Sequence, residues 1–98
     1  MDFEFGNKDL EDVYYNPKAS VGHGALVDKG FRKVMGKIAA AVDERDIREL
    51  KGLRYHKLGG ARNHQYALSI TGNWRLIVER IEKDSRIKLV IISVEDYH

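Results

Sequence analysis

The last three residues of this sequence are Asp96, Tyr97 and His98: a carboxylate, a phenol and an imidazole in a row, following the strand-like run IKLVIIS. In an extended chain Asp96 and His98 share one face and Tyr97 takes the other. An Asp beside a His fixes the ring's tautomer and raises its affinity for a proton, which a general acid or base requires. The bland reading is a polar, frayed end. A second group is GLRYHKLGGARN (52–63), which holds Arg54, His56, Lys57 and Arg62 among glycines. It reads either as a flexible basic connector or as a phosphate-binding platform that aims one imidazole into a groove. The third is GNWRL (72–76). Trp74 reads as a core or sheet-face residue, so Arg75 points to the opposite face. Arg75 then either bridges to Glu95 or Asp96 across strands, or holds a phosphate through its planar fork. The sequence has no cysteine and four scattered histidines, and no spacing matches a zinc or phosphate-loop motif. Neither a metal nor another cofactor is expected.

These groups need elements to position them. DFEF (2–5) alternates as a short edge strand, and NKDLEDVYY (7–15) reads as a helix capped by Asn7. Pro17 ends it, and NPKASVGHG is a loop. From Gly24 to Val42 the residues Val27, Phe31, Val34, Met35, Ile38 and Val42 recur at helical spacing. Gly30 and Gly36 weaken that helix and mark close packing against the first one. DERDIREL (43–50) reads as a third, short helix capped by Asp43, with Asp46 at the capping-box position. Strands follow: HQYALSI (64–70), the turn TGN, WRLIVERI (74–81), the turn EKDS (82–85) and RIKLVIISV (86–94). The last is apolar on both faces and suits a central strand. The expected fold is α+β, with two to three helices on a small, mostly antiparallel sheet, in the order β-α-α-(α)-β-β-β.

Composition narrows the class. Ninety-eight residues, 43% apolar and 33% charged, fit one globular domain over 1–98 with an open cleft or flat surface for a site. No apolar run is long enough to span a bilayer, and the acidic start MDFEFGNKDLED is unlike a signal peptide. A cytoplasmic location without membrane contact is therefore expected. The net charge of +2 hides an asymmetry: residues 1–27 sum to −3 and residues 51–80 to +5. The basic half favours an anionic partner, nucleic acid first, unless it pairs with the acidic half of the same domain.

GLRYHKL, YALSITGNWRLIVE and the final EDYH together resemble the HigB-type toxins of bacterial toxin–antitoxin operons, within the RelE/ParE superfamily. The resemblance is strong over 50–98 and looser over 1–49. It implies the RelE-like, microbial-ribonuclease-like α+β fold. It further implies a ribosome-dependent endoribonuclease that cuts messenger RNA in the A site and so inhibits translation in the bacterial cytoplasm. It implies a HigA-like helix-turn-helix antitoxin as partner, with operator DNA reached only through that antitoxin. Residue by residue, His56, Arg75, Asp96, Tyr97 and His98 fall on catalytic or substrate-positioning positions. Many relatives carry a lysine three residues after the histidine, where this sequence has Gly59, and Lys57 substitutes only if the loop re-aims it.

Such a reaction uses the ribose 2′-OH as nucleophile and needs a base, an acid and positive charge on the phosphorane-like transition state. His56 and His98 are the two proton-transfer candidates, with the roles open between them. Asp96 orients an imidazole or acts as base. Arg75 stabilises the phosphate with Arg54, Lys57 or Arg62, and Tyr97 stacks on a base or binds phosphate. Two alternatives stand beside this reading. One is a ParE-like gyrase-binding toxin without nuclease activity, against which the Asp-Tyr-His tail argues. The other is a catalytically weakened relative acting as a regulator, suggested by Gly59.

Overall fold

A computed structural model describes residues 1–96. β1 (Asp2–Phe5) is followed by α1 (Lys8–Tyr15), α2 (Ala25–Ala40) and α3 (Glu44–Glu49). Then come β2 (His56–Lys57), β3 (Gln65–Thr71), β4 (Trp74–Lys83) and β5 (Arg86–Asp96). The strands form one sheet in the order β1-β5-β4-β3-β2, antiparallel except where β1 joins β5. β5 therefore has a neighbour on each side, as its two apolar faces predict. The expected α+β architecture is the one observed, with β2 as an addition.

Local chemistry sets the helix starts. Asn7 accepts from the backbone N–H groups of Asp9 and Leu10 at 3.0 and 3.3 Å, and its amide donates to the Ile92 carbonyl, tying α1 to β5. Asp43 accepts from Arg45 N–H. The Asp46 carboxylate reaches back to Val42 N–H at 2.7 Å rather than to Asp43. The β4–β5 turn is tighter than EKDS suggests: only Asp84 and Ser85 lie outside the strands, both with positive φ, the backbone of a two-residue hairpin loop.

The core lies between α2 and one face of the sheet. Phe31, Met35 and Ile38 are fully buried against Leu68, Leu76, Val78, Leu89 and Ile91. Each such side chain contributes about 1.5–3 kcal/mol of burial. Two sequence expectations are corrected here. Val42 is 84% exposed and lies beyond α2, outside the apolar stripe. Gly30 does mark a close approach, but to the sheet: a Cβ there would sit 2.6 Å from Ile70 Cγ2, whereas one at Gly36 would meet nothing within 4 Å.

A buried ionic cluster docks α3. Glu44 accepts from Arg80 Nε at 2.7 Å and from the Tyr55 hydroxyl at 2.7 Å. Burial pushes the Glu44 carboxyl up, but the Arg80 and Tyr55 hydrogen bonds outweigh it and hold it below the ordinary value. Burial, and then the hydrogen bond to Glu44, raise the Tyr55 phenol. Among the described residues, no helix is long and apolar enough to cross a membrane.

Candidate active site

The sheet face turned away from the helices carries two of the residues expected to act, His56 and Arg75. Strand register fixes which side chains share it. One cross-strand row runs His56, Ala67, Ile77, Ser93, and the next runs Ser69, Arg75, Glu95. Ala67 and Ile77 are fully buried beneath Leu58 and form an apolar floor with Ile92. His56 and Arg75 thus stand on one face, two strands and one pleat apart. Ordinary strand spacing makes that roughly 12 Å between Cα atoms. A cavity of about 340 Å³ lies beside α1 and is lined in part by Ser93 and Val94 of β5.

His56 is held by the turn before it. Arg54 adopts the left-handed conformation at φ 48°, an uncommon choice for a residue with a side chain. That turn brings the Arg54 carbonyl to 2.6 Å from His56 Nδ1. In the neutral ring Nδ1 must then be the donor, and Nε2 carries the lone pair. The turn thus favours the tautomer that carries its proton on Nδ1.

Arg75 is 9% exposed, and its guanidinium folds back along the strand to donate to the Gly72 and Trp74 carbonyls, both at 3.0 Å. Its cross-strand neighbour Glu95 is engaged by another arginine. The segment Gly60–Arg62 forms a 3₁₀ turn over the sheet, and Arg62 reaches Glu95 through two parallel bonds of 2.9 Å, with Nε donating to Gln65. Ser93 donates to the same carboxylate at 2.7 Å. The Arg62 hydrogen bonds hold the Glu95 carboxyl below its ordinary value; partial burial opposes them and Ser93 adds to them.

Several candidates land differently from their sequence reading. The segment 54–63 is not a loose connector: His56–Lys57 pairs with β3, and Leu58 packs on the floor. Lys57 pairs with Tyr66, so alternation turns it toward the face opposite that of His56 and Arg75. Arg62 spends its fork on Glu95. Asp96 pairs with Trp74, and Glu95 is the residue opposite Arg75. Tyr97 and His98 lie outside the described residues. The sequence offers Glu95 only as a bridge partner for Arg75 and does not single out Ser93, whose place in the row beside it needs the register.

At the other side of the β3–β4 turn, Trp74 faces the helices and stacks on His23, with ring centroids 4.3 Å apart and planes 25° from parallel. His23 belongs to the α1–α2 loop, which Arg32 anchors by donating to the carbonyls of Val13, Asn16 and Ala19.

No protein-family profile matches the sequence, and no curated protein gives a significant match. Solved structures do. The fold matches a YoeB/ParE toxin from Agrobacterium tumefaciens over the whole of both chains, with a TM-score of 0.58 at 11% identity. It also matches a chain of the YoeB–YefM complex from Staphylococcus aureus, with a TM-score of 0.50 at 19% identity, over 100% of this chain and 97% of that one. At such identities the likeness is one of fold.

Proposed function

We propose that this chain is the toxin of a toxin–antitoxin pair, HigB-like in its site, and that it cleaves messenger RNA in the ribosomal A site without a metal. The observation that carries the proposal is the pairing of an imidazole in a base-competent tautomer with a buried arginine on one open sheet face. A fold shared with two toxins supports it. In the reaction His56 Nε2 takes the proton of the ribose 2′-OH. The 2′-oxygen bonds to phosphorus, and the bond to the 5′-oxygen breaks. A 2′,3′-cyclic phosphate and a 5′-hydroxyl result, the leaving oxygen receiving its proton from the acid. His98 is the proposed acid, with Asp96 and Tyr97 positioning it and the substrate. Arg75 binds the phosphate as negative charge builds. Arg54 supplies further positive charge, and Arg62 shapes the site through Glu95. An open face leaves part of the alignment to the ribosome, which explains a need for the A site.

The proposed partner is a helix-turn-helix antitoxin of the HigA type, and the YoeB–YefM complex is a precedent for a bound partner in this fold. The test is induction in a bacterial host with primer extension on messenger RNA. Wild type should give codon-phased cuts, and His56→Ala or Arg75→Ala should lower cleavage by about 10²–10⁴-fold. A second reading, binding of DNA gyrase, follows from the YoeB/ParE name of one neighbour. Growth arrest with uncut messenger and inhibited supercoiling would select it instead.

A further inference from the structure

We infer that Trp74 is a stacking platform for one base of the RNA strand and that His23 occupies it in the resting protein. The inference rests on the RNA-cleaving reading above and adds a residue pair to its substrate site. Three observations carry it. The His23 imidazole lies nearly parallel to the Trp74 indole at 4.3 Å, the arrangement a nucleobase adopts on an aromatic side chain. An imidazole is also one of the two fused rings of a purine, so it covers the indole as part of a purine would.

The second observation is the segment that delivers His23. Gly22 and Gly24 flank it with φ of 90° and 98°, conformations that residues with side chains rarely adopt, and a Cβ at either would meet nothing within 4 Å. The histidine is exposed and lines the 340 Å³ cavity beside α1. The ring therefore has glycine hinges on both sides and open space into which it can swing. The third is adjacency. Arg75 follows Trp74, and its guanidinium folds back to the Trp74 and Gly72 carbonyls at this end of the sheet. A strand whose phosphate sits on that guanidinium passes the β3–β4 turn, and a neighbouring base reaches the helix side where Trp74 lies. The bulge between Ser69 and Thr71 adds twist at this same end.

The single tryptophan makes the test direct. The probe is a 2′-O-methyl RNA trinucleotide, which cannot be cleaved, and its abasic counterpart, both at low salt. The trinucleotide should quench Trp74 emission, and the abasic form should bind more weakly with less quenching. Trp74→Leu should lose about tenfold or more in affinity by anisotropy, a typical size for one stacked base, while Trp74→Phe should retain most of it. The Phe variant separates lost stacking from lost folding. His23→Ala removes the competitor and should bind several-fold tighter. Binding that neither quenches Trp74 nor distinguishes the abasic probe would overturn the platform and leave the RNA-cleaving reading standing. No binding by either probe, in the protein or in His23→Ala, would overturn both.

Discussion

Gly59 is the residue where the sequence departs from the pattern it otherwise resembles, and the structure gives it a consequence. Its φ of −94° and ψ of 178° are extended values open to any residue, and a Cβ would meet nothing within 4 Å. Gly60 next to it has φ 62° and does require glycine's freedom. Glycine at 59 is thus a chemical choice rather than a steric one. Gly59→Lys should fold with its melting temperature within a few degrees of wild type. It should also raise RNA affinity several-fold in a filter-binding titration, because it adds a cation three residues after His56 without displacing anything. Unchanged affinity would mean that position 59 does not face the bound strand. The same scale shows what was legible. His56 and Arg75 each kept a bland alternative on the residues alone, and it was the resemblance of GLRYHKL and GNWRL to a known family that singled them out. The Arg62–Glu95 bridge spans 33 positions and exists only once β3, β4 and β5 are in register. No local pattern announces it.

Among elements, the long strands and α1–α3 were readable because each has a period, a cap or a turn residue that local physics enforces. β2 was not: two residues have no period, and they are a strand only because β3 offers a partner edge. Helix glycines carry a similar lesson, since sequence marks both as weak points and packing separates them. Gly36→Ala sits on an exposed stretch with space around it and should stabilise the protein by about 0.5–1 kcal/mol, the helix-propensity gain. Gly30→Ala drives a methyl into Ile70 Cγ2, a branch point too stiff to yield, and should cost about 1–3 kcal/mol before the propensity gain offsets part of it. Urea denaturation of the two variants should therefore move the midpoint in opposite directions. The docking of α3 supplies a pH-dependent test. Glu44 has a folded value below the ordinary one, so its stabilisation is complete above the unfolded value of 4.5 and is lost as pH falls through the folded value. Glu44→Gln leaves Arg80 with only the more exposed Glu82 carboxylate at 3.2 Å and should cost about 2 kcal/mol at pH 7. The gap between wild type and variant should close as the denaturation is repeated from pH 4.5 downward. A gap that stays constant would place the stabilisation in packing rather than in charge.

At the scale of the whole molecule, the strand order turns a sequence asymmetry into a spatial one. The acidic residues Asp2, Glu4, Asp9, Glu11 and Asp12 sit on β1 and α1, at the β1 edge of the sheet. Lys51, Arg54 and Lys57 sit on and before β2, at the opposite edge. Charge alone left open whether the two halves neutralise each other, and topology argues against it by putting the sheet between them. The ion pairs agree: Glu4 goes to Lys88 of β5, while Arg62 and Arg80 go to Glu95 and Glu44. The basic cluster therefore lies beside His56, at the sheet edge opposite the acidic one. Salt screens such a field over about 8–10 Å, so charges at the far edge contribute little to a strand bound on this one. Arg54→Glu and Lys8→Glu change the net charge by the same amount at opposite ends, and both side chains are exposed. If RNA lies across the His56 edge, Arg54→Glu should weaken binding of a short single strand at least tenfold at low salt, while Lys8→Glu should change it less than twofold. Each phosphate contact on a single strand contributes about −0.7 to the slope of log affinity against log salt. Wild type gripping two or three phosphates should therefore show a slope of about −1.4 to −2, shallower in Arg54→Glu and unaltered in Lys8→Glu. Equal effects of the two reversals would mean that net charge, not the placed edge, draws the strand in, and the assignment of this face to RNA would fall with it.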